Sequence, residues 1–139
     1  MSAPAPVVFR RLCQMRVAPY SFDWIDNAGR RSPRTLTPGV DELHVGQTMM
    51  VFRLTSFERD SHITGVATPA AAKLSGSMAG TYAVRALDEI SCRLVVRLDL
   101  AGRGLLGRAR QESLAWGDLL MMRKQLLTFK HLAETTATP

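Results

Sequence analysis

Asp23 and Asp26 stand one helical turn apart, with Arg30 and Arg31 just beyond. Carboxylates beside guanidinium groups could form an acid–base pair or an anion site. The plainer account is a short helix with acidic residues and a basic exit, held by ion pairs worth a few tenths of a kcal/mol. His44, His62 and His131 are far apart, and none has a metal-ligand spacing or a neighbouring nucleophile. His62 opens a β-type run and could face a cavity; a polar group at a strand edge is the competing account. Met49-Met50 and Met121-Met122 are soft, adaptable groups that serve a core or a site for apolar molecules. Gly102 to Gly107 is a loose Gly-x-Gly-x-x-Gly. It lacks the following βαβ unit and distal acid of a dinucleotide loop, so it reads as a turn into the last helix. Cys13 and Cys92 lack zinc spacing and are expected to be buried free thiols. No serine-hydrolase elbow or Walker loop occurs, and neither metal nor cofactor is expected.

The elements that must position these groups follow from periodicity. Pro4 and Pro6 precede apolar Val8, Phe9, Leu12 and Met15 at helical spacing, which predicts a helix ending before Pro19. A second short helix is predicted from Tyr20 to Asn27, with Ser21 as N-cap and Gly29 closing it. Arg30 to Gly46 is turn-rich, with a short strand expected at Arg34 to Leu36. From Thr48 the period becomes two: Met50, Phe52 and Leu54 alternate with Val51, Arg53 and Thr55. His62 to Thr68 reads as the hairpin partner, Pro69 to Ser77 as a loop, and Thr81 to Ala86 as a third strand. Cys92 to Leu100 alternates most cleanly, with Leu94, Val96, Leu98 and Leu100 on one face. Arg110 to Glu134 predicts a long helix. Leu119, Met122, Leu126, Phe129 and Ala133 form its stripe, and Trp116, Leu120 and Leu127 widen it. An antiparallel sheet is the expected cover for so broad a face.

The 139 residues, 46% hydrophobic and 22% charged, predict one α+β domain over 1–139 with frayed tails at 1–6 and 135–139. No apolar run is long enough to span a membrane, and no signal peptide opens the chain, so a cytoplasmic protein is expected. The net charge of +6 is almost wholly arginine. These arginines are scattered; the densest group, Arg30, Arg31 and Arg34, reads as a solvated basic loop rather than a nucleic-acid patch.

The order helix, helix, antiparallel strands, long C-terminal helix resembles the helix-grip fold of the SRPBCC (START-like, polyketide cyclase-like) superfamily. Ala3-Pro4-Ala5-Pro6-Val7-Val8-Phe9-Arg10-Arg11-Leu12 is similar to that superfamily's lead into its first helix. The stretches from Arg16 to Asn27, Gly29 to Pro33 and Trp116 to Leu126 resemble an uncharacterised bacterial group within it. The resemblance implies a long helix closing over a sheet around an internal pocket. It points to Tyr20, Trp24, Met50, His62, Tyr82 and Trp116 as pocket residues, with Asp23 and Arg123 as fixed polar groups. Members carry a strand before the alanine–proline opening. This sequence begins at that opening, so the expectation is an unpaired sheet edge, with a homodimer across it as the remedy.

Three functions compete. The first is binding or transport of a small hydrophobic molecule such as a lipid, polyketide or aromatic. The second is a cyclase or dehydratase using Asp23, His62 and Tyr82 for proton transfer. The third is a basic module for nucleic acid.

Overall fold

The computed structural model describes the backbone of residues 1–101 and 105–137, with the side chains of all of these except 26, 74, 75, 101 and 105–118. The element order is α1 (Ala5–Cys13), a 3-10 turn (Gln14–Arg16), α2 (Asp23–Asp26), β1 (Thr48–Met49), β2 (Phe52–Glu58), β3 (His62–Ala67), α3 (Pro69–Ser75), β4 (Ser77–Ala86), β5 (Cys92–Ala101) and α4 (Leu105–Ala137). The fold is α+β: five antiparallel strands in the order β1-β2-β3-β4-β5, with α1 and α4 packed together against one face. Each strand pairs with its neighbour in sequence, so every connection is short.

Prolines begin α1, where a missing N–H has no helical partner. Val8, Phe9 and Leu12 are buried on its inner face. That face meets α4, whose Phe129, Leu132 and Ala133 are buried with it above Leu54, Ile63, Tyr82 and Val84 of the sheet. Tyr20 joins this cluster, with its ring 5.3 Å from that of Phe129. Burying Phe129 fully contributes on the order of 3 kcal/mol in transfer free energy alone.

Residues 27–47 carry no helix or strand, yet they are tightly held. Buried Gln14 donates to Thr35 O (2.8 Å) and accepts from Thr37 N (3.0 Å). Arg11 donates to Arg34 O (2.7 Å), and Arg16 to the carbonyls of Gly39, Val40 and Glu42. Side chains of the first helical segment thus satisfy backbone groups that a long loop would otherwise leave to water. Arg34 to Leu36 is therefore not the expected strand; the Gln14 amide occupies the place of a neighbouring strand.

Other expectations need correction. Pro69–Ser75 is helix α3, not loop: Thr68 caps it by accepting from Ala71 N (3.3 Å), and proline and alanines follow. The second helix shrinks to the single turn Asp23–Asp26, preceded by Phe22 rather than Ser21. The strand expected through Met50 breaks there, because Met50 adopts φ +54° in the turn between β1 and β2. On α4, Leu119, Leu120 and Leu127 are exposed, and the buried line is Gln125, Phe129, Leu132 and Ala133. A polar residue thus sits on the inward stripe, and the apolar residues flanking it are not covered.

Candidate functional site, a methionine-lined cavity

The floor of the site begins with two glycines. Gly65 of β3 lies directly opposite Gly80 of β4. Without side chains they leave a trough across the sheet, and the Phe52 ring lies in it. A Cβ on Gly80 would stand 3.2 Å from Phe52 Cζ and 3.1 Å from Leu98 Cδ2. Beside this trough, on the same inner face of the sheet, a void of about 20 Å³ is lined by Met15, Met49, Leu54 and Ile63 together with Met50, Phe52 and Tyr82, with space for about one water.

Above this floor, between sheet and α4, lies a cavity of about 210 Å³. Met78 and Tyr82 line it from β4, Leu98 from β5, Phe52 from β2, and Met121, Met122 and Gln125 from α4. Met50 and Val51 close one side and Ser21 another. No charged side chain lines it among the described residues. Four methionines contribute unbranched, polarizable walls that adapt their shape to an occupant.

Gln125 is the polar centre and is only 3% exposed. Its amide donates to Pro19 O (2.5 Å) and lies 3.6 Å from Met50 Sδ, while its carbonyl accepts from the Tyr82 hydroxyl (2.8 Å). One side chain thus joins helix, sheet and both flanking turns. Each turn carries a bulky residue in the left-handed region, Tyr20 at φ +59° and Met50 at φ +54°. Such conformations cost about 1–2 kcal/mol each and persist where surrounding contacts impose them.

A second cleft of about 310 Å³, about as open to solvent as the first, lies between α4 and the segment after Pro19, and Ser21 borders both spaces. Its walls mix apolar surface from Tyr20, Leu127 and Leu132 with the charged or polar Asp23, Arg34, Lys124 and His131. Asp23 is engaged: its two carboxylate oxygens accept from Ser32 N (2.9 Å) and Ser32 Oγ (2.5 Å). Tyr20 donates to Pro33 O (2.7 Å), and burial pushes its phenol pKa up.

Of the residues named from sequence, Met50 and Tyr82 come together in the methionine-lined cavity, and Tyr20 and Asp23 line the second cleft. Trp24 is 75% exposed and lines none of these spaces. His62 sits on the other face of the sheet from its buried neighbour Ile63, near Ser56 Oγ (3.2 Å) and the Glu58 carboxylate (3.8 Å). Arg123 is exposed on α4. Trp116 lies outside the residues whose side chains are described. Asp23, His62 and Tyr82 therefore occupy three different places. Sequence reasoning missed Gln125, Phe52, Met78 and Leu98 as lining residues. Extending the alternation of Tyr82 and Val84 back along β4 would have reached Met78.

Both cysteines are buried and free. Burial, with a smaller contribution from Asp41, pushes the Cys13 thiol up to about 12. Among the described residues no helix is long and apolar enough to cross a membrane, and no cluster of metal-ligating side chains occurs. Comparisons of the chain with protein-family models, curated proteins and solved structures found no match.

Proposed function

We propose that the protein binds a small apolar molecule in the cavity between the sheet and α4, as a binder or carrier of START-like type. The observation that carries this reading is the composition of the walls: four methionines, Phe52, Val51 and Leu98 around about 210 Å³, with no charge among the described lining residues. Of the polar side chains on its walls, Ser21 stands at the margin, while Tyr82 donates to Gln125 and Gln125 donates to Pro19 O. Recognition then rests on shape and dispersion rather than on hydrogen bonds to the ligand. A dry cavity of about 150 Å³ holds benzene. This one suits a bicyclic aromatic or an aliphatic chain of about six to ten carbons. The order of helices and strands supports membership of the SRPBCC superfamily as part of the same proposal.

A thermal-shift series with naphthalene, indole and straight-chain alcohols tests the reading. A saturable rise in Tm is expected for the members that fit, since a ligand of the native state alone stabilises it by mass action. Met78→Trp, which fills the cavity, should abolish the rise. If no member raises Tm, or if the rise survives Met78→Trp, the cavity is not a binding site.

A further inference from the structure

Among the described residues, the edge of β5 away from β4 is paired only at Cys92, and it carries a surface that matches itself. Met1 N donates to Cys92 O (2.9 Å), and Cys92 N donates to Met1 O (3.1 Å). Cys92 therefore turns its N–H and C=O away from β4. Main-chain groups alternate sides along a strand, so Leu94, Val96 and Leu98 also point theirs to that edge, while Arg93, Val95, Arg97 and Asp99 bond β4. Leu87 N donates to Ser91 O (3.0 Å), which confirms the alternation from the hairpin end. Among the described residues nothing bonds the edge-facing groups of Leu94, Val96 or Leu98.

The outer-face side chains supply the second observation. Arg93 lies directly opposite Arg85 of β4, a like-charge cross-strand pair, and among the described residues no carboxylate pairs with either. Asp99 is exposed, with Arg97 as its partner at 3.0 Å. We propose that β5 pairs antiparallel with β5 of a second copy, centred on Val96, so that Arg93 of each chain faces Asp99 of the other.

The alternative registers are poorer. Centring on Val95 sets Arg93 of each chain against Arg97 of the other. Centring on Arg97 sets arginine against arginine and leaves Asp99 facing Val95. Centring on Leu94 sets the second copy's Val96 against Cys92, whose edge Met1 already occupies. Centring on Leu98 leaves Arg93 without an acidic partner. Centring on Val96 opposes Leu94 to Leu98, Val96 to Val96 and Leu98 to Leu94. Each of these pairs exchanges two main-chain hydrogen bonds, about six in all. It also brings carboxylates to the Arg85–Arg93 pairs at both ends. The inner-face side chains of Leu94, Val96 and Leu98 continue across the seam, beside the cavity that Leu98 lines.

Sedimentation velocity across a concentration series tests this. A reversible monomer–dimer equilibrium is expected, in the micromolar range suited to a small interface. Val96→Pro removes an N–H that only the second copy uses, and proline is tolerated at a strand edge when its N–H side faces solvent. That variant should stay folded by circular dichroism and sediment as a monomer throughout. Asp99→Arg should weaken the dimer at least tenfold, and Arg93→Asp combined with Asp99→Arg should restore it; this pair of variants carries the test if Val96→Pro does not fold. A wild-type monomer at millimolar concentration would overturn the proposal. So would a dimer indifferent to these changes, or a monomer whose Leu94, Val96 and Leu98 amides resist hydrogen exchange because another segment covers them.

Discussion

Gln125 separates two halves of the interior that are built by different rules. Toward the end of α4, Phe129, Leu132 and Ala133 close against α1 and Tyr20, and the polar groups of Gln14 and Tyr20 find partners in the neighbouring loop. Toward the sheet's open side, methionines surround about 210 Å³ of unfilled space. The first half fixes the fold through close packing. The second gives up packing for adaptability, and its turn at Met50 keeps a costly conformation beside Gln125, whose amide lies 3.6 Å from Met50 Sδ.

That contrast predicts a gradient of mutational cost. Phe129→Ala, on the packed side, should destabilise by about 3–5 kcal/mol in denaturant unfolding. Gln125→Leu should cost about 2–3 kcal/mol, because Pro19 O and the Tyr82 hydroxyl each lose a hydrogen bond in a buried site. It should also release Met50, seen as a larger shift for the Met50 methyl than for Met15. Gly80→Ala should cost about 1–3 kcal/mol, since its Cβ meets Phe52 and Leu98 at the trough. Met78→Leu, on the cavity wall, should cost under about 1.5 kcal/mol. A cost as large as that of Phe129→Ala would mean that the two halves are packed alike.

The pH dependence of stability tests the packed side without a core truncation. The Cys13 thiol ordinarily titrates at 9.0, and burial raises it to about 12 in the fold. The folded state therefore holds its proton where the unfolded state has lost it. The stability from this group is full below about pH 9 and is lost as pH rises toward about 12. Cys92 and Tyr20 are raised in the same direction by burial. Thermal unfolding should show Tm falling above about pH 9, with a shallower fall in Cys13→Ala.

The packed side was the more legible in sequence. Val8, Phe9 and Leu12 announce α1 by spacing alone, and the alternation in β5 is unambiguous. α3 was also legible in principle: threonine, proline and alanines are a capped start followed by strong helix formers. The cavity was harder. Met50 leaves its strand through a positive φ that nothing in its residue type signals. Gln125 is polar on an inward stripe, and only the positions of Pro19 and Tyr82 explain it. Trp24 and His62 look like site residues by type, but the turn after Pro19 and the parity of β3 send them elsewhere. Residue type identifies what could line a pocket; register and turn geometry decide which of those residues do.

Methyl NMR on methionine-labelled protein addresses the cavity most directly, because its walls carry the reporters. On titration with naphthalene, the methyls of Met50, Met78, Met121 and Met122 should shift together and saturate, while those of Met15 and Met49, which do not line the cavity, move little. Shifts spread evenly over all the methionines, or none at saturation, would contradict an apolar binding site between the sheet and α4.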